Sequence, residues 1–272
     1  MELRTRALAV LQLADPDEKA RQASALWSSI ASLSIADTPL PEPPGLPGRP
    51  RQPRLVDPRA VPQRSPHTLE GRAALVHAIC HIEFNALNLA LDAVWRFAGL
   101  PAAFYHDWMR VAHEEAEHFT MLHRHLQTLG HRYGDFEAHD GLWEMAARTR
   151  DDLVARMALV PRTLEARGLD ATPLIQTRLR QVGTADALAA CALLDTILRE
   201  EIGHVAIGNR WFRWLCARDG LDPVVHDREL VRRHRAPVLR PPFNEAARRR
   251  AGFTSAELEA LRSRAAAPDT TG

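Results

Sequence analysis

Apolar positions recur at helical spacing from the start of the chain: Leu3, Ala7, Val10 and Leu11, then Ala23, Leu26, Trp27 and Ile30, with Asp15-Pro16 between the two groups. This spacing predicts two short helices within residues 1–37. From Gly71 to about Cys216 the same period runs over long stretches, interrupted at Gly99-Leu100-Pro101, Leu129 to Asp140, Gly168 to Pro173, and Gly183. It predicts four long helices, paired as two hairpins, over residues 71–217. No stretch there alternates with the two-residue period of a strand over a useful length, so the expected class is all-α. The remainder, 218–272, contains Pro223, Pro237, Pro241 and Pro242 and reads as an irregular extension. One short helix is expected in it at 255–265, opened by the capping box Thr254-Ser255-Ala256-Glu257.

Between the first helices and the bundle, residues 38–70 break the pattern. Ten of the nineteen prolines lie between Pro39 and Pro66, interleaved with Arg49, Arg51, Arg54, Arg59 and Arg64. Each proline removes a backbone donor and restricts its neighbour, which excludes a helix or a central strand. A disordered linker is one reading. No second large domain follows for it to join, and Leu55, Val56 and Val61 offer apolar anchors, so an extended arm packed on the core is favoured.

Composition adds exclusions. With 46% apolar and 25% charged residues the chain is neither collagen-like nor wholly disordered. Thirty-five basic against 34 acidic side chains give a formal charge of +1, so no overall field draws the protein to nucleic acid or an anionic membrane. The tail holds Arg228, Arg232, Arg233, Arg235, Arg240 and Arg248-Arg249-Arg250, but acids are interspersed and a solvated face is the expected reading. The best apolar run, Ala187 to Leu194, falls well short of the roughly 20 residues of a spanning helix, and no membrane partner is expected. Met1 to Ala14 reads as an amphipathic helix and not a secretion signal, because Glu2 precedes its apolar stretch and acids follow it without a cleavage site. Cys80, Cys191 and Cys216 have no CxxC spacing and fit a reducing cytoplasm.

The candidate chemistry lies in two E-x-x-H motifs, Glu115 to His118 and Glu201 to His204. Positions i and i+3 share a helix face, so each motif aims a carboxylate and an imidazole the same way. The Glu115 face also carries Phe104, Trp108, Val111, Phe119, Leu122 and Leu126, and the Glu201 face carries Ala190, Leu194, Ile197, Val205 and Phe212. Both motifs therefore point into the core, where such groups are costly unless paired or bound to a metal. The other two helices each add one acid: Glu83, alone on the stripe of Val76, Ile79, Cys80, Leu87 and Val94, and Glu165, after Met157, Ala158, Pro161 and Leu164. In an antiparallel hairpin, residues equidistant from the turn meet. Glu83 and Glu115 are centred on Gly99, and Glu165 and Glu201 on Gly183. One Glu from each of two helices plus E-x-x-H from each of the other two is the ligand set of a dinuclear carboxylate bundle, suited to two iron ions, with manganese as the alternative. Pro161 is expected to kink the helix of Glu165, and Gly168 to end it soon after.

Glu114 and Glu200 precede the ligating acids and are turned toward a neighbouring helix. They either accept the second N–H of a ligating histidine or belong to a solvated face. His77, His81, His123 and His125 lie off the ligand faces and read as capping or surface residues. Trp108 either walls the site or is plain core. Tyr105 and Tyr133, the two tyrosines, are on no ligand face, which argues against a stored tyrosyl radical.

At these residues the chain resembles the ferritin-like superfamily, and within it an uncharacterised bacterial family of domain-of-unknown-function type, distantly similar to the tRNA hydroxylase acting on hypermodified adenosine. The resemblance runs from about Pro50 to Phe253. It is carried by Pro47-Gly48-Arg49-Pro50, His81-Ile82-Glu83, Glu115 to His118, Met157 to Pro161, Leu164 to Asp170, Glu201 to His204 and Pro242-Phe243-Asn244. It implies a ferritin-like four-helix core with a dinuclear metal site and supports Glu165 as a ligand despite the expected kink. One departure is Asn88, where members of the family often carry an acid; it is not on the Glu83 face. The resemblance supplies no substrate.

The leading functional expectation is an O2-dependent diiron oxidoreductase, an oxidase or hydroxylase acting on a small molecule or modified nucleoside. An external electron donor is implied, since no Gly-rich dinucleotide fingerprint and no iron–sulfur cysteine cluster is present. A homodimer is compatible with the reading. The alternatives are iron oxidation and storage, against which stand the long segments outside the bundle, and a non-enzymatic protein with a structural metal site. Nucleic acid is not an expected partner.

Overall fold

The computed structural model describes residues 2–266; residue 1 and residues 267–272, at the ends of the first and last expected segments, lie outside the described residues. Among the described residues the fold is all-helical. No strand forms, and the extended pairing is confined to two isolated bridges, Glu2 with Ser34 and Leu55 with Ala138. The helices are α1 (Leu3–Leu11), α2 (Pro16–Ser28), α3 (Leu69–Arg96), α4 (Ala102–Thr128), α5 (Gly141–Arg148), α6 (Leu153–Leu159), α7 (Ala166–Val182), α8 (Ala185–Arg218), α9 (Pro223–Arg233), α10 (Glu245–Arg250) and α11 (Ser255–Ala266). A π-helical segment, Val160–Glu165, joins α6 to α7. The chain divides into two compact units, one holding the residues up to Glu144 together with Arg178–Leu194, the other Met145–Thr177 and everything from Asp195 on.

In the first unit α3 packs along α4, with α1 on α3 and α2 on α4. The turn between α3 and α4 falls at the expected Gly99, which adopts φ +71, a conformation that glycine takes without Cβ strain. Tyr105 closes that turn: its hydroxyl donates to Phe97 O at 2.9 Å and accepts from Leu100 N–H at 3.2 Å. Arg4 of α1 reaches the end of α3, where a guanidinium N–H donates to Trp95 O at 2.7 Å, one of the carbonyls a helix end leaves without an intrahelical partner. The proline-rich segment is extended and tied down by its backbone. Gly48 N–H donates to Leu11 O at 2.9 Å, and Val56 N–H to Ala138 O at 2.8 Å. Arg49 pairs with Asp140 at 2.7 Å, and Arg54 pairs with Glu137. Lys19 of α2 is fully buried and joins three elements at one point, donating to Gly48 O (2.8 Å) and to Asn88 Oδ1 of α3 (2.6 Å) above the Phe84 ring. Asn88 thus binds an ammonium.

α3 is the one described helix with the length and apolarity to cross a membrane, a stronger window than Ala187 to Leu194. Yet 78% of that window is covered by the rest of the protein, as in the central helix of a core.

The second unit departs from expectation in three ways. The third long helix is divided into α6, the π segment and α7, instead of being kinked once. Pro161 lacks the N–H that an α-helix would use, and the wider turn accommodates it: Ala166 N–H donates to Pro161 O, five residues back. The Pro161 ring lies against Gly208 of α8, where an added Cβ would sit 2.5 Å from Pro161 Cβ. Second, no break occurs at Gly168 to Pro173, because α7 runs through both. Pro173 would orphan the carbonyl of Leu169, and Asn244 replaces the missing donor, its Nδ2 reaching Leu169 O at 3.1 Å. Third, the tail is not irregular. It forms α9 to α11, with Asp222 capping α9 and the Thr254/Glu257 capping box opening α11 as expected (Thr254 N–H to Glu257 Oε2 2.7 Å; Glu257 N–H to Thr254 Oγ1 3.2 Å). Arg248, expected on a solvated face, is buried and paired with Asp170 at 2.6 Å.

A candidate metal centre

In the first unit, the α3–α4 hairpin brings Glu83 opposite Glu115 as the turn arithmetic requires. His118 Nδ1 lies 3.0 Å from Glu83 Oε2 and 3.5 Å from Glu115 Oε2, and a ligand atom from each of the three falls within 4.8 Å of the others. All three are buried. Desolvation pushes the Glu83 carboxyl up to about 7, and the neighbouring Glu115 adds to the rise, against the hydrogen bond and charge of His118. Two carboxylates pressed together out of water are electrostatically costly, and a cation between them offsets that cost. Two hard oxygen donors and one imidazole fit a divalent transition ion.

In the second unit the E-x-x-H of α8 repeats this geometry. His204 Nδ1 lies 3.5 Å from Glu201 Oε1, the distance found between His118 and Glu115, and both residues are buried. Among the described residues none hydrogen-bonds Glu201 Oε2, although the atom is buried. A carboxylate oxygen held in that state suits a cation that side chains do not supply. Glu165 is buried at the last position of the π segment, just before Ala166. Ala166 and Leu169, just after it, share one apolar cluster with Ile202 and Val205 of α8, the residues that follow Glu201 and His204.

The accessory residues divide. Glu114 and Glu200 are half-buried, with Arg110 Nε at 3.9 Å from the first and Arg199 at 3.4 Å from the second. Trp108 is buried. His77 and His81 correct the sequence reading, since both are buried and neither caps a helix nor lies on the surface. His81 Nδ1 is 2.8 Å from Tyr133 Oη and its Nε2 is 3.0 Å from His139 O, while His77 Nε2 accepts from Gly134 N–H at 2.9 Å. Burial drives both imidazole pKa values down, His77 to about 4 and His81 to about 3, so they serve as neutral hydrogen-bonding groups. Tyr133 also packs on Phe84 and Phe119, the residues immediately after Glu83 and His118. No periodicity could reveal this, because Tyr133 comes from the loop after α4.

The family model for a protein of unknown function, DUF455, matches residues 12–259. The chain belongs to the DUF455 family. A Haemophilus influenzae protein described as uncharacterized is 48% identical over 262 residues, covering 92% of this chain and 90% of the relative. No solved structure matches.

Proposed function

We propose that this DUF455 protein is a ferritin-like dimetal carboxylate oxidoreductase, in which Glu83, Glu115 and His118 on one side and Glu165, Glu201 and His204 on the other hold two ions of iron, or of manganese, that use O2 to oxidise an organic substrate. The observation that carries the reading is the buried Glu83–Glu115–His118 trio, two carboxylates and an imidazole converging in the protein interior. The second E-x-x-H, with the same 3.5 Å spacing, supports it. When bound, such a pair of ions supplies electrons to O2 and oxidising power toward a substrate. The side chains do the rest. Glu83, Glu115, Glu165 and Glu201 balance the charge of the ions, and the buried apolar residues Leu87, Phe119, Leu122 and Val205 exclude water. Reductant comes from a separate electron carrier.

Metal analysis of protein purified from its own host tests this. About two iron or manganese ions per chain are expected, with O2 consumed on ferrous loading, and Glu201→Ala should lose at least one ion. Neither metal near that ratio would overturn the proposal. A cage carrying far more iron would replace it with storage, and stoichiometric metal with no O2 consumption would replace it with a structural site.

A further inference from the structure

Arg162 is a buried cation in the π segment, three residues before Glu165. Its guanidinium binds three elements of the second unit at once: Nε donates to Asn209 Oδ1 of α8 at 2.6 Å, one terminal nitrogen to Asp227 Oδ1 of α9 at 3.1 Å, and the other to Glu257 Oε1 of α11 at 2.7 Å. The rings of Phe212 and Phe253 cover it at 4.1 and 5.4 Å. Asn209 is itself held by donating to Ala251 O at 2.7 Å. Next to this clamp, Pro161 is seated on Gly208; beyond it, Ala166 and Leu169 are packed on Ile202 and Val205. The wide turn is therefore pinned to α8 at both ends, and Glu165 falls between the pins.

That arrangement matters for where Glu165 points. An inserted residue rotates the downstream residues by about 100° relative to an uninterrupted α-helix. Relaxation of the π turn would swing Glu165 by about that angle relative to α6. Thr163 supports the wide form, its hydroxyl donating to Ala158 O at 2.9 Å, five residues back.

We propose that Arg162 is a positioning residue: by clamping the π turn to α8, α9 and α11 it presents Glu165 to the metal centre, making the C-terminal helices part of the metal-binding apparatus. This rests on the dimetal reading. A planar guanidinium meets three acceptors in fixed directions, which the point charge of a lysine cannot reproduce. The clamp touches no ligand and acts through the backbone of residues 162–165.

The test is a Co2+ titration of the full-length protein followed by its ligand-field absorption, on the wild type, Arg162→Lys and Asp227→Asn. With the wild type binding two ions, Arg162→Lys should weaken one of them by about tenfold or more, the scale of lost support around a metal ligand, and alter its absorption bands, while the other ion is retained. Asp227→Asn, isosteric and at the edge of the cluster, should weaken the same ion by a smaller factor. Circular dichroism establishes which variants fold; should Arg162→Lys fail to, Asp227→Asn decides. A purely structural clamp would lower the melting temperature and leave spectrum and affinity unchanged, and that result in a folded variant overturns the proposal. A wild type that binds no Co2+ overturns the dimetal reading itself, which separates the two failures.

Discussion

Replacing Lys19 by methionine removes a charge from the point where α2, the proline-rich arm and α3 meet, and the consequence for stability should depend on pH. Burial, with Arg49 nearby, lowers the Lys19 pKa from 10.5 to about 7. The unfolded chain keeps the proton up to the ordinary lysine value, whereas the folded chain releases it near 7. Between those limits the unfolded state binds more protons, so stability rises with pH by up to about 1.4 kcal/mol per unit. The gain approaches about 4 kcal/mol by pH ~10, and below pH ~7 the cost of the buried charge is fully present. The methionine variant lacks this term but leaves Gly48 O and Asn88 Oδ1 without their donor, a loss of about 1–3 kcal/mol that does not vary with pH in this range. Urea titrations of both proteins across the interval, followed by tryptophan fluorescence, isolate the lysine because other titrating groups cancel in the difference. The wild type should gain on the variant steadily as pH rises. Parallel stability curves would refute the reasoning, showing that Lys19 keeps an ordinary affinity for its proton despite burial.

Thr254→Ala should cost about 1 kcal/mol, read as a lower urea midpoint, because it removes the hydroxyl that caps Glu257 N–H at the start of α11. Gly48→Ala should cost about 1–3 kcal/mol and speed proteolysis of the arm, since the added Cβ would meet Gln12 O at 2.0 Å and force the two backbones apart.

The α3–α4 hairpin illustrates what could be read from the order of residues. Glu83 and Glu115 meet because both are set by helical period and by their distance from Gly99, quantities local to the chain. The same arithmetic works less well for Glu165. Period counting assumes 3.6 residues per turn, and the π turn at Pro161 violates it; the space that its ring occupies is left by a residue 47 positions away, Gly208, which has no side chain. Pro173 reads as a helix breaker by a local rule that holds unless another group supplies the lost hydrogen bond. Asn244 supplies it from the far end of the chain. Arg248 and Arg162 mislead, or go unnoticed, for a related reason: an arginine looks solvated in sequence, and Asp170, Asp227 and Glu257 become its partners only after folding.

By itself, then, the order of residues determined the helical class, the α3–α4 turn, the capping box of α11 and the inward aim of both E-x-x-H motifs, since each depends on spacing along one or two adjacent helices. Tertiary structure alone decided the burial of Lys19, His77 and His81, the Tyr133 contact and the π turn that carries Glu165. Those depend on which distant donor, acceptor or empty space a group meets, and helical periodicity carries no record of partners that folding brings from elsewhere in the chain.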